Sequence, residues 1–266
     1  MSVKEATVVS NGEIQNSVTA PAGKSYLYAI IGAVEPLSFP ALGIDGGDVY
    51  TIVEGHVAAV ISGGIRSKIR PQRSNLAAHQ AVLRSLMTLT TPLPTAFGTV
   101  ADDPTAIRRI LARHQKPIAE QLRRVAGKVE MGLRVAWDVP NIFEYFVNTH
   151  SELRVARDRV VGPRHGASHD EKIEIGRLFE RLLNEDRQNH LQRVERLLKH
   201  ACFEIKQNVC RREEEIMNLA CLVGRDREKQ FEACVFEAAQ LFDNNFSFDY
   251  SGPWAPHNFV ELDLEQ

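Results

Sequence analysis

The segment from Lys128 to Trp137 alternates bulky apolar residues with other residues at a period of two. The apolar positions are Val129, Met131, Leu133, Val135 and Trp137. This period is typical of a β-strand that buries one of its faces. Such a strand requires a sheet, and the patterns that follow it along the chain decide which sheet is possible.

The patterns after this strand place the elements in the order of a split βαβ unit. Ser168-His-Asp-Glu171 is a capping box, which predicts the start of a long helix. In chain order we predict strand 128–137, helix 168–199, strands 201–210 and 216–223, helix 226–242 and strand 246–251. The order β-α-β-β-α-β is that of a ferredoxin-like domain, here with a helical insertion at 140–165.

The first half of the chain predicts a smaller domain with a different order of elements. Strands are expected at 26–32, at 95–100 and in a hairpin, 49–53 and 56–62, around the turn Glu54-Gly55. One helix is expected to be capped by Ser74 or Asn75. Another begins at Asp103-Pro104, where Asp is a good cap and Pro fits the first turn, and is expected to break at Pro117.

The fold class is therefore α+β, with a small mixed N-terminal domain followed by a ferredoxin-like C-terminal domain. We expect a disordered leader at 1–24, an N-terminal domain at 25–126, a C-terminal domain at 127–252 and a tail at 253–266. The leader is polar and lacks the apolar run of a secretory signal. Because the sequence has no run of about 18 apolar residues, we expect no membrane partner.

The cysteines indicate a reducing compartment. The sequence has four of them, Cys202, Cys210, Cys221 and Cys234, all in apolar patterns and none in a C-x-x-C pair. Cysteines of this kind are typical of reduced residues in the core of a cytoplasmic protein. We therefore expect a cytoplasmic location and no disulfide framework.

Charge is divided unevenly along the chain, although the net charge is only −2. Between Gly64 and Arg134, 13 Lys/Arg stand against 4 Asp/Glu, whereas from Glu213 to Gln266, 12 Asp/Glu stand against 3 Lys/Arg. Charge runs usually face solvent or each other. The alternative is that the two regions are partner surfaces of opposite sign, and the sequence leaves both interpretations open.

The sequence lacks the motifs that would indicate catalysis or cofactor binding. It contains no G-x-S-x-G elbow, no Walker A motif and no G-x-G-x-x-G after a strand. His165, His169 and Asp170 are too few for a metal site, which normally needs three or four convergent ligands. Glu213-Glu-Glu215 is expected to be exposed at a hairpin tip, and His79 to be packed. We expect no enzyme, no cofactor and no metal.

Nucleic-acid binding is the alternative function from another class. RNA-binding domains with a ferredoxin-like fold stack bases on aromatic residues of the two central strands. Here those strands, 128–137 and 216–223, hold one aromatic residue, Trp137, and the last quarter of the chain is acidic. We expect no nucleic-acid partner and keep an RNA- or nucleotide-binding module as the alternative. A hydrolase with an unrecognised site is a weaker third hypothesis.

Six segments spread over residues 25–260 form an ordered set. They are Tyr26-Leu-Tyr-Ala-Ile-Ile, Val57-Ala-Ala-Val-Ile-Ser, His79 followed by Val82-Leu83, Leu93-Pro-Thr-Ala-Phe-Gly-Thr-Val100, Gly127-Lys-Val-Glu130 and Tyr250-Ser-Gly-Pro-Trp-Ala-Pro256. Each segment is weak by itself. Taken together in this order and spacing, they make the chain resemble the gas vesicle proteins F and L (GvpF/GvpL).

The resemblance implies a cytoplasmic accessory protein of gas vesicles with two α+β domains and no catalytic activity. Its implied partners are the hydrophobic gas vesicle shell protein (GvpA type) and other accessory proteins. A subunit that forms a gas-facing wall exposes apolar surface before assembly and needs a partner with apolar groups or sheet edges. Candidate edges are the hairpin 49–62 and the strand 246–251. The candidate contact residues are Arg66, Lys68, Arg70, Phe97, Tyr250 and Trp254.

The closing tract from Phe246 to Phe259 allows two interpretations. Its first residues alternate as a strand, and Gly252-Pro253 is expected to turn the chain. Beyond that turn, Trp254, Pro256 and Phe259 either tether the tail to the first domain or to the helical insertion, or follow an ordinary terminal strand with a frayed acidic end.

Overall fold

The computed structural model describes residues 23–65, 69–160 and 168–261. These residues form two antiparallel β-sheets, one of six strands and one of four, with helices packed against them. The predicted leader, apart from its last two residues, and the last five residues of the predicted helical insertion lie outside the described residues.

The first sheet contains the strands of the first half of the chain. They are β1 (Lys24–Gly32), β2 (Ser38–Leu42), β3 (Asp48–Glu54), β4 (Val57–Ile65), β5 (Leu93–Pro94) and β6 (Val100–Ala101). Their order is β2-β3-β4-β1-β5, and β6 also pairs with β1. The β3–β4 hairpin is confirmed, and its turn residue Gly55 has a φ of +62°, which Gly adopts without strain.

Three helices cover both faces of this sheet. They are α1 (Arg73–Met87), α2 (Pro104–Arg113) and α3 (Gln115–Val125). Leu86 of α1 lies in one apolar cluster with Tyr28 of β1. Leu111 of α2 and Ile118 of α3 lie in a second cluster with Ile30 of β1. The sheet is therefore an inner layer, which explains why β1 is a continuous apolar run rather than an alternating one.

The second sheet and its helices follow in the predicted order. They are β7 (Lys128–Trp137), α4 (Ile142–Thr149), α5 (Ser151–Val160), α6 (His169–Leu198), β8 (Cys202–Gln207), β9 (Glu215–Gly224), α7 (Glu228–Ala239) and β10 (Phe246–Trp254). The sheet order is β10-β7-β9-β8, and every neighbouring pair is antiparallel. This is the ferredoxin-like arrangement, so the α+β fold class is confirmed.

Two predicted helix starts are confirmed by their capping hydrogen bonds. At α6, the Ser168 Oγ accepts from the Glu171 N–H at 3.2 Å, and the Glu171 carboxylate accepts from the Ser168 N–H at 2.9 Å. At α2, the Asp103 carboxylate accepts from the Ala106 N–H at 2.8 Å. These caps satisfy backbone donors that have no partner inside the helix.

The predicted cap of α1 and the predicted strand at 95–100 are wrong. Helix α1 begins at Arg73, and Asn75 instead donates from Nδ2 to the Arg70 carbonyl at 3.1 Å. The segment 95–100 is mostly a loop between β5 and β6. The Thr95 hydroxyl donates to the Leu27 carbonyl at 2.7 Å. This side chain therefore satisfies a backbone acceptor that would otherwise bind the N–H of a neighbouring strand.

The predicted helix break at Pro117 falls earlier in the structure. Helix α2 ends at Arg113, and α3 begins at Gln115 with His114 between them. Pro117 therefore lies in the first turn of α3. A proline is tolerated there because the first N–H groups of a helix have no intrahelical acceptor.

The hairpin 49–62 is not a free sheet edge, contrary to the expectation. Strand β2, for which the sequence predicted no strand, pairs with β3, and β4 lies between β3 and β1. By contrast, β10 is an edge strand and extends to Trp254, past the predicted end of the C-terminal domain at 252. The domain boundaries themselves stay predictions.

The expectation that the whole acidic tip is exposed is wrong for Glu215. Its side chain is buried at the start of β9. Its Oε2 accepts from the Arg211 N–H at 2.7 Å, and its Oε1 lies 3.4 Å from Arg212 Nε and 3.6 Å from Arg134 Nε. The Arg211 N–H, followed by Arg212 and Arg134, holds the pKa of this carboxyl below its usual range.

Candidate interaction surfaces and the seam between the sheets

A short C-terminal segment occupies the seam between the two sheets. We define residues 255–261 as the strap. Phe259 of the strap is fully buried and shares an apolar cluster with Leu222 of β9 and Leu122 of α3. The Phe259 carbonyl accepts from Arg124 Nη1 at 3.3 Å, and Lys206 Nζ lies 5.7 Å from the ring centroid. The strap therefore contacts both halves of the chain.

The strap is also held by a buried carboxylate of β7. Glu130 Oε2 accepts from the Asn258 N–H at 2.8 Å, and Oε1 accepts from Asn258 Nδ2 at 2.6 Å. Burial raises the pKa of the Glu130 carboxyl, and the two hydrogen bonds from Asn258 oppose that rise. A buried acid without these donors would be costly, so Glu130 fixes the register of the strap on the sheet.

Polar contacts join the two halves elsewhere along the seam. Arg124 of α3 lies 2.7 Å from Glu204 of β8. Arg225, which follows β9, donates to the carbonyls of Met87 and Thr90 at the end of α1, the second at 2.9 Å. Cations next to the last carbonyls of a helix are favourable because these carbonyls lack intrahelical donors.

His79 connects the first sheet to the strap. It is buried on α1, as expected, and its Nδ1 lies 2.9 Å from the Tyr26 hydroxyl. Its ring centroid lies 5.8 Å from that of Phe97 and 6.5 Å from that of His257. Burial lowers the pKa of His79 to about 4, and His257 adds to the lowering. The imidazole is therefore neutral near pH 7 and accepts a proton only at a cost in stability.

The structure places the sequence-predicted contact residues at separate positions. Arg66 and Lys68 lie outside the described residues, and Arg70 is exposed just before α1. Phe97 is half-buried against Tyr26 and His79. Tyr250 and Trp254 share β10, and each is 37% exposed. The last two share one edge strand but lie on opposite faces of it, because they pair with Leu133 and Glu130.

The surface beside Tyr250 includes an exposed apolar residue that sequence reasoning missed. Phe236 of α7 is 58% exposed, and its ring lies 6.5 Å from that of Tyr250. Phe236 lies outside the row of buried apolar residues on α7. An aromatic residue outside that row is the sequence signal that could have identified it as exposed.

A tether is present, and two of its three predicted anchors are buried. Phe259 and Pro256 are buried, whereas Trp254 is partly exposed and donates from Nε1 to the Ser251 Oγ at 3.3 Å. The Glu261 N–H lies 3.5 Å from Gln121 Oε1 of α3. The tail therefore packs on the first half of the chain, in agreement with the tether interpretation.

These features define an α+β protein of two packed sheets whose distinctive exposed features are a sheet edge and apolar side chains. The family model of the gas vesicle synthesis protein GvpL/GvpF matches residues 24–261. The chain belongs to this family.

Individual relatives agree with the family model. Gas vesicle protein F of Dolichospermum flosaquae is 27% identical over 241 residues, which cover 90% of this chain and 98% of the relative. Gas vesicle protein L of Streptomyces sp. (strain CB03234) is 27% identical over 201 residues, covering 70% and 68%. The crystal structure of gas vesicle protein GvpF from Anabaena sp. PCC7120 superposes with a TM-score of 0.79 at 26% identity, covering 91% and 99%.

Family membership gives the chain an accessory role in gas vesicles. The family is one of gas vesicle structural and accessory proteins and is not a known enzyme family. None of the described helices is both long enough and apolar enough to cross a membrane.

The strap predicts a difference between two aromatic substitutions. Phe259→Ala removes a fully buried ring and should lower the free energy of unfolding by about 3–5 kcal/mol. Trp254→Ala removes a partly exposed ring and should cost about 1 kcal/mol. Urea denaturation followed by far-ultraviolet circular dichroism measures both. Equal costs for the two variants would contradict the assignment of Phe259 as the anchor.

The buried imidazole predicts a pH dependence of stability. The pKa of His79 is about 4 in the folded chain and about 6.5 when unfolded. The unfolded state therefore binds the proton first, and stability is lost as pH falls from about 6.5 towards 4. The full contribution is roughly 3 kcal/mol. His79→Asn keeps an acceptor for Tyr26 but does not titrate, so its unfolding free energy should fall less over this range. Parallel pH profiles for the two proteins would contradict this.

Proposed function

We propose that this chain is a cytoplasmic gas vesicle assembly factor that binds the hydrophobic shell protein, and other accessory proteins, without catalysing a reaction. The membership of the family and its accessory role support this proposal. The four unpaired cysteines suit the reducing cytoplasm. The observation that carries the proposal is the open edge of the second sheet at β10.

Strand β10 has the properties of an edge that accepts an added strand. Among the described strands it pairs only with β7, and it does so residue by residue from Phe246 to Ser251, before Gly252-Pro253 interrupts the register. An unpaired edge offers a row of backbone donors and acceptors to an extended segment of a partner. Tyr250 and Trp254 add partly exposed apolar surface along the same strand. Backbone pairing and apolar contact together suit a shell subunit that exposes apolar surface before assembly.

The other long edges are less suitable for adding a strand. Strand β2 has five residues, and its Pro40 has no N–H to donate. Strand β8 carries the charged residues Glu204 and Lys206. Cations lie beside its partly exposed Phe203, with Lys128 Nζ 4.8 Å from the ring centroid. Short strands, prolines and charges are the usual means of blocking edge pairing. This leaves β10 as the candidate edge.

The alternative of RNA binding is disfavoured by what covers the central strands. Trp137 of β7 is buried on the helical side of the sheet. On the opposite side, Glu130, Ala220 and Leu222 are buried, and Glu130 holds the strap. Bases stack on exposed aromatic residues of an open sheet face. The central strands of the described sheet do not offer such a platform.

The experiment is co-expression with the shell protein followed by capture in high salt after nuclease treatment. The double variant Tyr250→Lys/Trp254→Ser should lower the affinity for the shell protein by about tenfold or more, because it places a charge on the edge and removes an apolar contact. Phe203→Ser is the matched control, since it removes an exposed aromatic residue from the opposite edge strand.

Capture that is unchanged in the double variant would reject the β10 edge as the docking site. Loss of capture by the Phe203→Ser control would show that the loss is not specific to the β10 edge. If the chain captures no shell protein but binds RNA in a salt-sensitive manner, the RNA-binding alternative replaces the proposal, since phosphate contacts weaken steeply with salt.

We also propose that Arg70, with Arg66 and Lys68 outside the described residues, steers acidic surfaces of the partner towards the chain. Exposed charges change association rates more than final affinities. Arg70→Glu should therefore slow association with the shell protein at low salt and leave the rate at high salt unchanged. Stopped-flow or surface-based kinetics at two salt concentrations measure this. Equal rates for both proteins at low salt would remove the steering role.

A further inference from the structure

The free backbone groups of β10 belong to every second residue. Along an antiparallel pair, residues that exchange hydrogen bonds alternate with residues whose N–H and C=O point away from the neighbouring strand. The Asp138 N–H donates to the Asn245 carbonyl at 2.7 Å. The next residue of β7, Trp137, lies opposite Phe246, and its N–H donates at 2.9 Å to the carbonyl of Glu214, on the β9 side. The outward-pointing groups of β10 are therefore those of Phe246, Phe248 and Tyr250.

This free ladder is short. The Phe246 N–H is already used, because it donates to the Asp243 carbonyl at 3.3 Å. At the other end, Pro253 has no N–H to donate. Between these limits, Phe248 and Tyr250 each keep a free N–H and a free C=O, and no hydrogen bond among the described residues uses them. An added strand can therefore pair over about five residues.

The two sides of this edge differ in chemistry. On the helical side, the Phe248 ring lies 5.0 Å from that of Phe242, and the Tyr250 ring lies 6.5 Å from that of the exposed Phe236. The Tyr250 hydroxyl donates to Glu232 of α7 at 2.6 Å, which holds the ring beside the helix. The side chains on the opposite side are exposed and polar, namely Ser247, Asp249 and Ser251. An added strand thus meets aromatic rings on one face and polar groups on the other.

The described second sheet favours antiparallel addition, since all its neighbouring strands are antiparallel. In that orientation, the residues of the added strand that exchange hydrogen bonds with Phe248 and Tyr250 lie directly opposite them. Opposed residues share one face of a sheet and contact each other. The residues that form the hydrogen bonds are therefore also those whose side chains lie against the aromatic rings.

We propose that the β10 edge recognises an amphipathic extended segment, added antiparallel, in which apolar residues alternate with polar ones. The apolar residues lie opposite Phe248 and Tyr250 and contact Phe236, while the polar residues lie beside Asp249 and reach solvent. This inference rests on the proposed function and names the part of the shell subunit that the edge binds. The segment is a β-strand with one apolar face, which matches the two sides of the edge.

A peptide probe tests the alternation. The probe is the fluorescently labelled peptide Thr-Val-Lys-Val-Thr-Val-Lys, and its matched control holds the same residues in the order Val-Val-Val-Thr-Thr-Lys-Lys. Only the first can place every valine on one face of a strand. Fluorescence anisotropy with the full chain should show that the alternating peptide binds about tenfold or more tightly than the control, because three cross-strand contacts are lost in the control.

Backbone methylation of the same peptide tests the hydrogen bonds. N-methylation of the valines removes the donors that face β10 and should weaken binding by about tenfold or more. N-methylation of the inner lysine and threonine alters N–H groups that point away from β10, so it should change the affinity by less than about twofold. Apolar contact without strand pairing would not distinguish the two peptides.

A matched pair of variants tests the edge from the protein side. Tyr250→Ala and Tyr250→Pro both remove the ring, but only the proline also removes the outward N–H, which β7 does not use. Proline is tolerated on an edge strand at such a position. Tyr250→Pro should therefore bind the alternating peptide roughly fivefold more weakly than Tyr250→Ala. Urea denaturation should show similar stabilities for the two variants.

Several outcomes would overturn the inference. They are equal binding of the alternating and reordered peptides, loss of binding on methylation of the polar residues instead of the valines, and equal binding by the two folded Tyr250 variants. Shell-protein capture is measured in parallel. Capture by the wild type without binding of the alternating peptide overturns the inference and leaves the proposed function standing. Peptide binding with the expected pattern but no capture supports the inference about the edge and overturns the shell protein as the partner.

Discussion

The burial of Phe259 in the seam is the contact on which the arrangement of the two sheets depends. Its ring lies in a cluster with β9 and α3, its carbonyl accepts from Arg124, and its neighbour Asn258 satisfies the buried Glu130. The apolar anchor buries a whole aromatic ring, and the buried carboxylate fixes the register, because an unpaired acid there would be costly. The strap also covers the outer face of the central strands, so the surfaces left for partners are edges and helices.

Elements with local signals were predictable from the sequence, and elements with non-local causes were not. The alternation in β7 and the cap of α6 depend on neighbours within a few residues, so the ferredoxin-like order followed from the pattern. Strand β2 has little pattern of its own and exists because β3 offers it an edge. Glu215 lies in an acidic run, yet it is buried by Arg211, Arg212 and Arg134, of which the last is distant in sequence.

The candidate surfaces show the same division. Tyr250 and Trp254 were identified as part of a segment, and the structure adds that their strand is an open edge. Phe236 was missed because exposure depends on which face of α7 packs on the sheet. The uneven distribution of charge was visible in the sequence, but the contacts that the charged residues make were not. At the strap the two regions do meet, since Arg124 binds the carbonyl of Phe259, whereas Arg113 and Phe236 stay on outer surfaces.

The position of β10 near the C-terminal end of the described chain has a consequence for the timing of synthesis. A ribosome releases the first sheet, β7 and the long helix well before β10 emerges, and domains generally fold as they appear. Until then β7, which pairs with β9 on one side, is itself an edge strand, and its free side is the place that β10 will take. The open edge at β10 therefore forms only after the first sheet and the other three strands of the second sheet have been translated. A nascent or truncated chain that lacks β10 cannot present this edge.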